Sequence, residues 1–174
     1  MKRIVFGLFL SFMCLAIAVP AFAMPQGGTN EIEVNAGYFR ALGTGGGTFN
    51  GDVMYGIYLD DPAWEIGLRQ AFNYVQRRRA SNFWTATTAP FVNYHIRGVM
   101  DGVVPFVGGQ LGAVWNDDDF TGTVGPDAGL KFYMSDSTYM VTRYRYEWFF
   151  DKFETIDETA GANHVVTVGL GYNW

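Results

Sequence analysis

The chain is short of cysteine, of lysine and of long apolar runs, and each shortage narrows what it can be. Its one cysteine, Cys14, falls inside an N-terminal apolar stretch behind Ser11-Phe12-Met13. A lipoprotein signal needs a small residue just before the cysteine, and Met13 is not small, so Cys14 is read as discarded with that stretch. Without it, neither disulfides nor thiol chemistry is available. The long apolar run, residues 4–19, is too short and too near the terminus for a membrane span. Lys2 and Arg3 precede it, and Ala21-Phe22-Ala23 puts small residues where a signal peptidase reads. Residues 1–23 are therefore a predicted secretory signal peptide. The remainder, 24–174, is 151 residues long (174 less 23), which is one domain. With Lys2 and Arg3 removed, 10 of the 12 basic residues face 17 acidic ones, a net charge of −7. That balance argues against a nucleic-acid partner. No later segment is long enough for a transmembrane helix, so any membrane crossing must be made by strands.

What the chain does have is glycine (22), phenylalanine (15), tyrosine (10) and tryptophan (5). Aromatic and β-branched residues favour pleated structure, and glycine weakens helices. Segments with period-two alternation recur from end to end. The first, near 30–40, sets Ile32, Val34, Ala36 and Tyr38 against Glu33, Asn35, Gly37 and Phe39. Similar segments follow near 52–60, 64–74, 84–97, 103–115, 127–134, 140–148 and 165–174. The fifth is glycine-rich; the favoured register points Val107, Leu111, Ala113 and Trp115 one way and Phe106, Gly108, Gln110 and Gly112 the other. Eight strands are predicted. Long connections are expected near 42–51, 76–83, 116–124 and 149–162, and short ones at 60–62, 98–102 and 135–137. Long loops on one rim and tight turns on the other are the habit of membrane barrels.

Alternation alone does not say which face looks inward. The polar face carries Gly37, Gly56, Gly67, Gly108, Gly112, Gly129, Gly169 and Gly171. A solvent-facing strand gains nothing from glycine, whereas a narrow eight-stranded barrel is crowded inside. The glycine face is therefore expected to line the lumen and the apolar face to meet lipid. Aromatics then gather at two levels: Trp64, Tyr94, Phe132, Tyr172 and Trp174 toward the short turns, and Tyr38, Tyr74, Trp84, Trp115 and Trp148 toward the long loops. Two such girdles match two bilayer interfaces. Gln70 fits badly, since it falls mid-strand in the lipid-facing series; alternation offers no account of it beyond a bulge or register change.

The last residues carry hydrophobic side chains at Val166, Val168, Leu170 and Tyr172, counting back in twos from Trp174. This resembles the C-terminal assembly signal of outer-membrane proteins, in which the final aromatic is usually Phe. Residues 104–112 (VPFVGGQLG) and 125–133 (GPDAGLKFY) also resemble the small outer-membrane β-barrel family of OmpA- and OmpX-like proteins. The resemblance covers 24–174. It implies an all-β, transmembrane, antiparallel up-and-down barrel of eight strands in a Gram-negative outer membrane. It further implies insertion by the barrel-assembly machinery, with periplasmic chaperones as transient partners.

Glu33, Glu65, Asp127 and Glu147 share the inward face with Arg69, Arg97, Lys131, Arg143 and Arg145, and His95 lies nearby. Ionised groups away from water must be paired, so a cross-barrel network filling the lumen is expected. The same residues could instead form the selectivity ring of a narrow pore. His164 sits near the long-loop rim, as does the catalytic histidine of lipid A hydrolases built on such barrels, but no serine stands at a motif spacing from it. Arg77-Arg78-Arg79 could grip lipopolysaccharide phosphates in bidentate fashion or be a solvated loop. Asp117-Asp118-Asp119 and the acids Asp151, Glu154, Asp157 and Glu158 lack calcium-loop spacing. Gly45-Gly46-Gly47 opens no helix and is no phosphate cradle. The sequence thus leads to a non-enzymatic, monomeric barrel with no metal or cofactor, in contact with outer-membrane lipid and lipopolysaccharide. A porin-like channel and a lipid A-modifying hydrolase remain the alternatives.

Overall fold

Alternating side chains give each strand one face of each kind, and a sheet so built can hide its polar face by curling shut. The computed structural model, which describes residues 25–39, 47–76, 82–117, 119–150 and 162–174, is such a closure. Eight strands follow in order: β1 Asn30–Phe39, β2 Gly47–Tyr58, β3 Trp64–Gln76, β4 Phe83–His95, β5 Val103–Trp115, β6 Phe120–Tyr133, β7 Thr138–Phe149 and β8 Ala162–Asn173. Each pairs antiparallel with its sequence neighbours, and β1 closes on β8 through pairs such as Val34 with Leu170. No strand edge is left open, which removes the usual route to edge-to-edge aggregation.

The faces fall as the glycine argument expects. Glu33, Arg69, Asn93, Lys131, Arg143, Arg145 and Glu147 are buried, whereas Val34, Val53, Leu68, Leu111, Val168 and Leu170 are exposed. In β5 the favoured register is the observed one, with Phe106 and Gln110 buried and Val107, Leu111 and Trp115 exposed. The inward glycines make room for large neighbours. A Cβ on Gly67 would sit 2.6 Å from the Phe91 ring, and one on Gly129 would lie 2.5 Å from that of Phe106.

The loops correct the sequence reading in part. β6 begins at Phe120, so the connection from β5 spans only 116–119 rather than 116–124. There Asn116 accepts the Asp119 amide through its side chain at 2.6 Å, closing a tight turn. β2 likewise begins at Gly47, inside the loop expected at 42–51. In both places Thr, Gly and Asn continue the ladder beyond the apolar alternation, because backbone pairing needs no apolar face. On the opposite rim, Gly98 and Gly102 adopt φ of 77° and 70° in the turn between β4 and β5, a conformation that L side chains rarely take. The triplet Arg77-Arg78-Arg79, the acids of 151–158 and the predicted signal peptide lie outside the described residues.

Candidate functional site: the charged lumen

The lumen is crossed by ion pairs between strands that are not neighbours. At the short-turn end, Lys131 on β6 donates to both carboxylate oxygens of Glu31 on β1, each at 2.7 Å. It also donates to the Tyr58 hydroxyl at 3.0 Å and lies 3.5 Å from Glu65. Its ammonium sits among the rings of Tyr139, Tyr58 and Phe106, at 4.9, 5.4 and 5.8 Å from their centroids. Tyr139 and Phe106 belong to a buried cluster with Val104, Tyr133 and Val141. This end of the barrel is closed by packed side chains.

Higher in the lumen, Arg143 on β7 binds Glu33 on β1 through Nε at 3.2 Å and Nη2 at 3.0 Å. Its Nη1 donates to Asp127, and its guanidinium lies 4.4 Å from the Phe106 ring centre. Toward the other rim, Arg69 on β3 donates to Glu147 at 2.8 Å and to Gln110 at 2.5 Å. Gln110 donates in turn to the same Glu147 oxygen at 2.9 Å. Asn35 joins the two levels, giving its amide hydrogens to Glu33 at 2.7 Å and Asp52 at 2.8 Å. Arg145 lies 3.6 Å from Asp52, and its three guanidinium nitrogens make no hydrogen bond among the described residues. Eight of the nine charges expected in the lumen therefore lie in connected pairs. The ninth, Arg97, stands at the short-turn rim, half-buried, and donates to the Pro25 carbonyl at 2.8 Å.

Sequence reasoning missed Glu31 and Asp52, both buried. Each lies two residues before a buried inward position, Glu33 and Met54, so extending the alternation would have found them. Their inclusion changes the charge count. Among the described residues the lumen buries six carboxylates (Glu31, Glu33, Asp52, Glu65, Asp127, Glu147) against four cations (Arg69, Lys131, Arg143, Arg145). The near balance expected from sequence becomes an acidic excess. His95 adjoins it, 3.5 Å from Glu65 and ringed by Tyr58 and Phe106.

His164 faces away from the lumen. Its Nδ1 shares a 2.7 Å hydrogen bond with the Tyr144 hydroxyl, and its ring lies 4.7 Å from that of Tyr146. Asp117 accepts from the Trp84 indole at 3.2 Å. Among the described residues no group of His, Cys, Asp and Glu could hold a metal ion. Val166, Val168, Leu170, Tyr172 and Trp174 form one exposed stripe along β8 and its end. Gln70 lies on the outward face where the alternation placed it. The pairing of β3 with β2 and with β4 runs through it unbroken, Val53 opposite on one side and Thr88 on the other. No bulge rescues it: Gln70 is exposed on the apolar face and accepts from the Thr88 hydroxyl at 2.6 Å.

No protein-family model and no curated protein matches the sequence. Among solved structures, the barrel is similar to the N-terminal β-barrel domain of Pseudomonas aeruginosa OprF, at 18% identity and TM-score 0.54, covering 86% of this chain and 100% of that one. Neisserial surface protein A is similar at 15% identity and TM-score 0.54, covering 83% and 94%. The outer membrane protein OprG from Pseudomonas aeruginosa is similar at 11% identity and TM-score 0.55, covering 88% and 99%. At such identities the likeness speaks for the fold, which is that of the small eight-stranded outer-membrane barrels.

Proposed function

We propose that this chain is an integral outer-membrane protein of a Gram-negative envelope, with a filled lumen and a structural or surface-interaction role rather than a catalytic one. The carrying observation is the pairing across the lumen, Lys131 with Glu31 and Arg69 with Glu147. These pairs join opposite walls and occupy the space that a solute would need. Breaking such a pair by removing one partner strands a buried charge, at about 3–5 kcal/mol, so the closed state is strongly held. The exposed apolar face needs lipid around it, because a soluble protein showing this much contiguous apolar surface would aggregate. Outer-membrane lipid and lipopolysaccharide are the proposed surroundings. The barrel-assembly machinery and periplasmic chaperones are the proposed partners in insertion, read from the stripe that ends at Trp174.

Purified protein in a planar bilayer tests the filled lumen. Little steady conductance is expected; frequent, discrete openings of the wild-type protein would establish the narrow pore instead. Mass spectrometry of lipid A from expressing cells tests the enzymatic alternative. Unchanged acyl chains are expected, and their loss would overturn a non-catalytic role.

A further inference from the structure

Gln70 is a polar side chain where lipid offers it nothing. It lies on β3 between two exposed girdle residues, Trp64 and Tyr74. With strands tilted about 45° and rising about 3.3 Å per residue, it stands about 14 Å from the level of Trp64 and about 9 Å from that of Tyr74. That depth is the hydrocarbon interior, where an unpaired donor is costly. Its Oε1 accepts from Thr88, but its amide nitrogen has no acceptor among the described residues. Acyl chains carry none at this depth, since lipid ester carbonyls lie at the interface. An acceptor there must come from another protein surface.

We infer that the barrel pairs with a second copy of itself through the lipid-facing side of β3 and β4, centred on Gln70. The inference rests on the membrane-barrel reading and replaces the monomer expected from sequence. A second copy inserted in the same orientation brings its own Gln70 to the same depth. Across a two-fold axis each amide nitrogen can donate to the other copy's Oε1, which has a lone pair left after accepting from its own Thr88. One self-complementary contact thus satisfies both copies. The ladder beyond Thr88 continues to Ala113, whose small side chain lets the second wall approach. Polar side chains joining close-packed membrane segments follow the same logic in helical proteins.

Chemical crosslinking of single-cysteine variants tests the pairing, since the predicted secreted chain has no cysteine of its own. Leu68→Cys places a thiol two residues from Gln70 on the same face, and Val168→Cys places one on the other side of the barrel. In phosphatidylethanolamine–phosphatidylglycerol vesicles, a bifunctional thiol reagent is expected to give a covalent dimer with Leu68→Cys and none with Val168→Cys. Adding Gln70→Leu to Leu68→Cys is expected to lower the dimer at least tenfold. No dimer with Leu68→Cys, equal dimer from both positions, or no response to Gln70→Leu would each overturn the inference. Heat-dependent migration in electrophoresis reports folding of every variant, so loss of the barrel itself is told apart from loss of pairing. Counting wild-type copies in lipid nanodiscs by native mass spectrometry needs no variant. Two copies per disc are expected, and a single copy at every protein-to-lipid ratio would overturn the pairing.

Discussion

Replacing Arg143 with alanine removes the one cation that holds both Glu33 and Asp127. The guanidinium gives Glu33 two hydrogen bonds, at 3.0 and 3.2 Å, and is 2% exposed as a residue. After the change, Glu33 keeps Asn35 at 2.7 Å and the Tyr139 hydroxyl at 3.2 Å, both neutral donors. Asp127 loses its ion pair. The cost of stranding a buried carboxylate is about 3–5 kcal/mol. For a domain of this size, each kcal/mol moves the midpoint about 2–4 °C, so a fall of roughly 6–20 °C is expected. The assay is the temperature at which the fast-migrating folded band gives way to the unfolded one in electrophoresis. A triple variant, Arg143→Met with Glu33→Gln and Asp127→Asn, removes the stranded charges and should recover most of the loss. A single variant within roughly 2 °C of wild type, or a triple variant less stable than the single one, would refute the reasoning.

Other outcomes follow from the same geometry. Gly129→Val should block the heat-modifiable form altogether, because its side chain would meet the Thr142 backbone and the Phe106 ring; a folded, stable variant would contradict a crowded lumen. Lys131→Ala should raise conductance in planar bilayers, and the current should favour potassium over chloride, since six carboxylates would face three cations. Anion selectivity would show that the buried acids do not set the lumen potential. Trp174→Ala should slow insertion into membranes by pulse-chase without lowering the midpoint of the assembled barrel by more than a few degrees, and unchanged insertion would remove its role as an assembly signal.

Parity made most of this architecture legible. Once glycine and charge mark one face as the inside, every second residue of each strand is assigned, and the five tryptophans, Trp64, Trp84, Trp115, Trp148 and Trp174, all take the outward parity. Strand ends were less legible, because apolar alternation stops before the hydrogen-bonded ladder does, as at Phe120–Thr123. The pairing of charges was not legible at all. Lys131 and Glu31 are 100 residues apart, and Arg69 and Glu147 are 78 apart; which charge meets which depends on how the barrel closes, and alternation carries no information on that. Glu31 and Asp52 went unseen because each sits one residue before the outward apolar series of its segment begins, at Ile32 and Val53. Gln70 broke the pattern visibly, yet only the unbroken ladder on both sides showed that the exception belongs to the lipid face itself.

The orientation of the two faces can be read from native tryptophan fluorescence in vesicles of brominated phosphatidylcholine. All five indoles sit on the outward face near the ends of their strands, so bromines placed close to the headgroup should quench most of the emission, and bromines near the acyl-chain end should quench less. Emission that ignores brominated lipid and yields instead to a water-soluble quencher would contradict the barrel's placement in a bilayer.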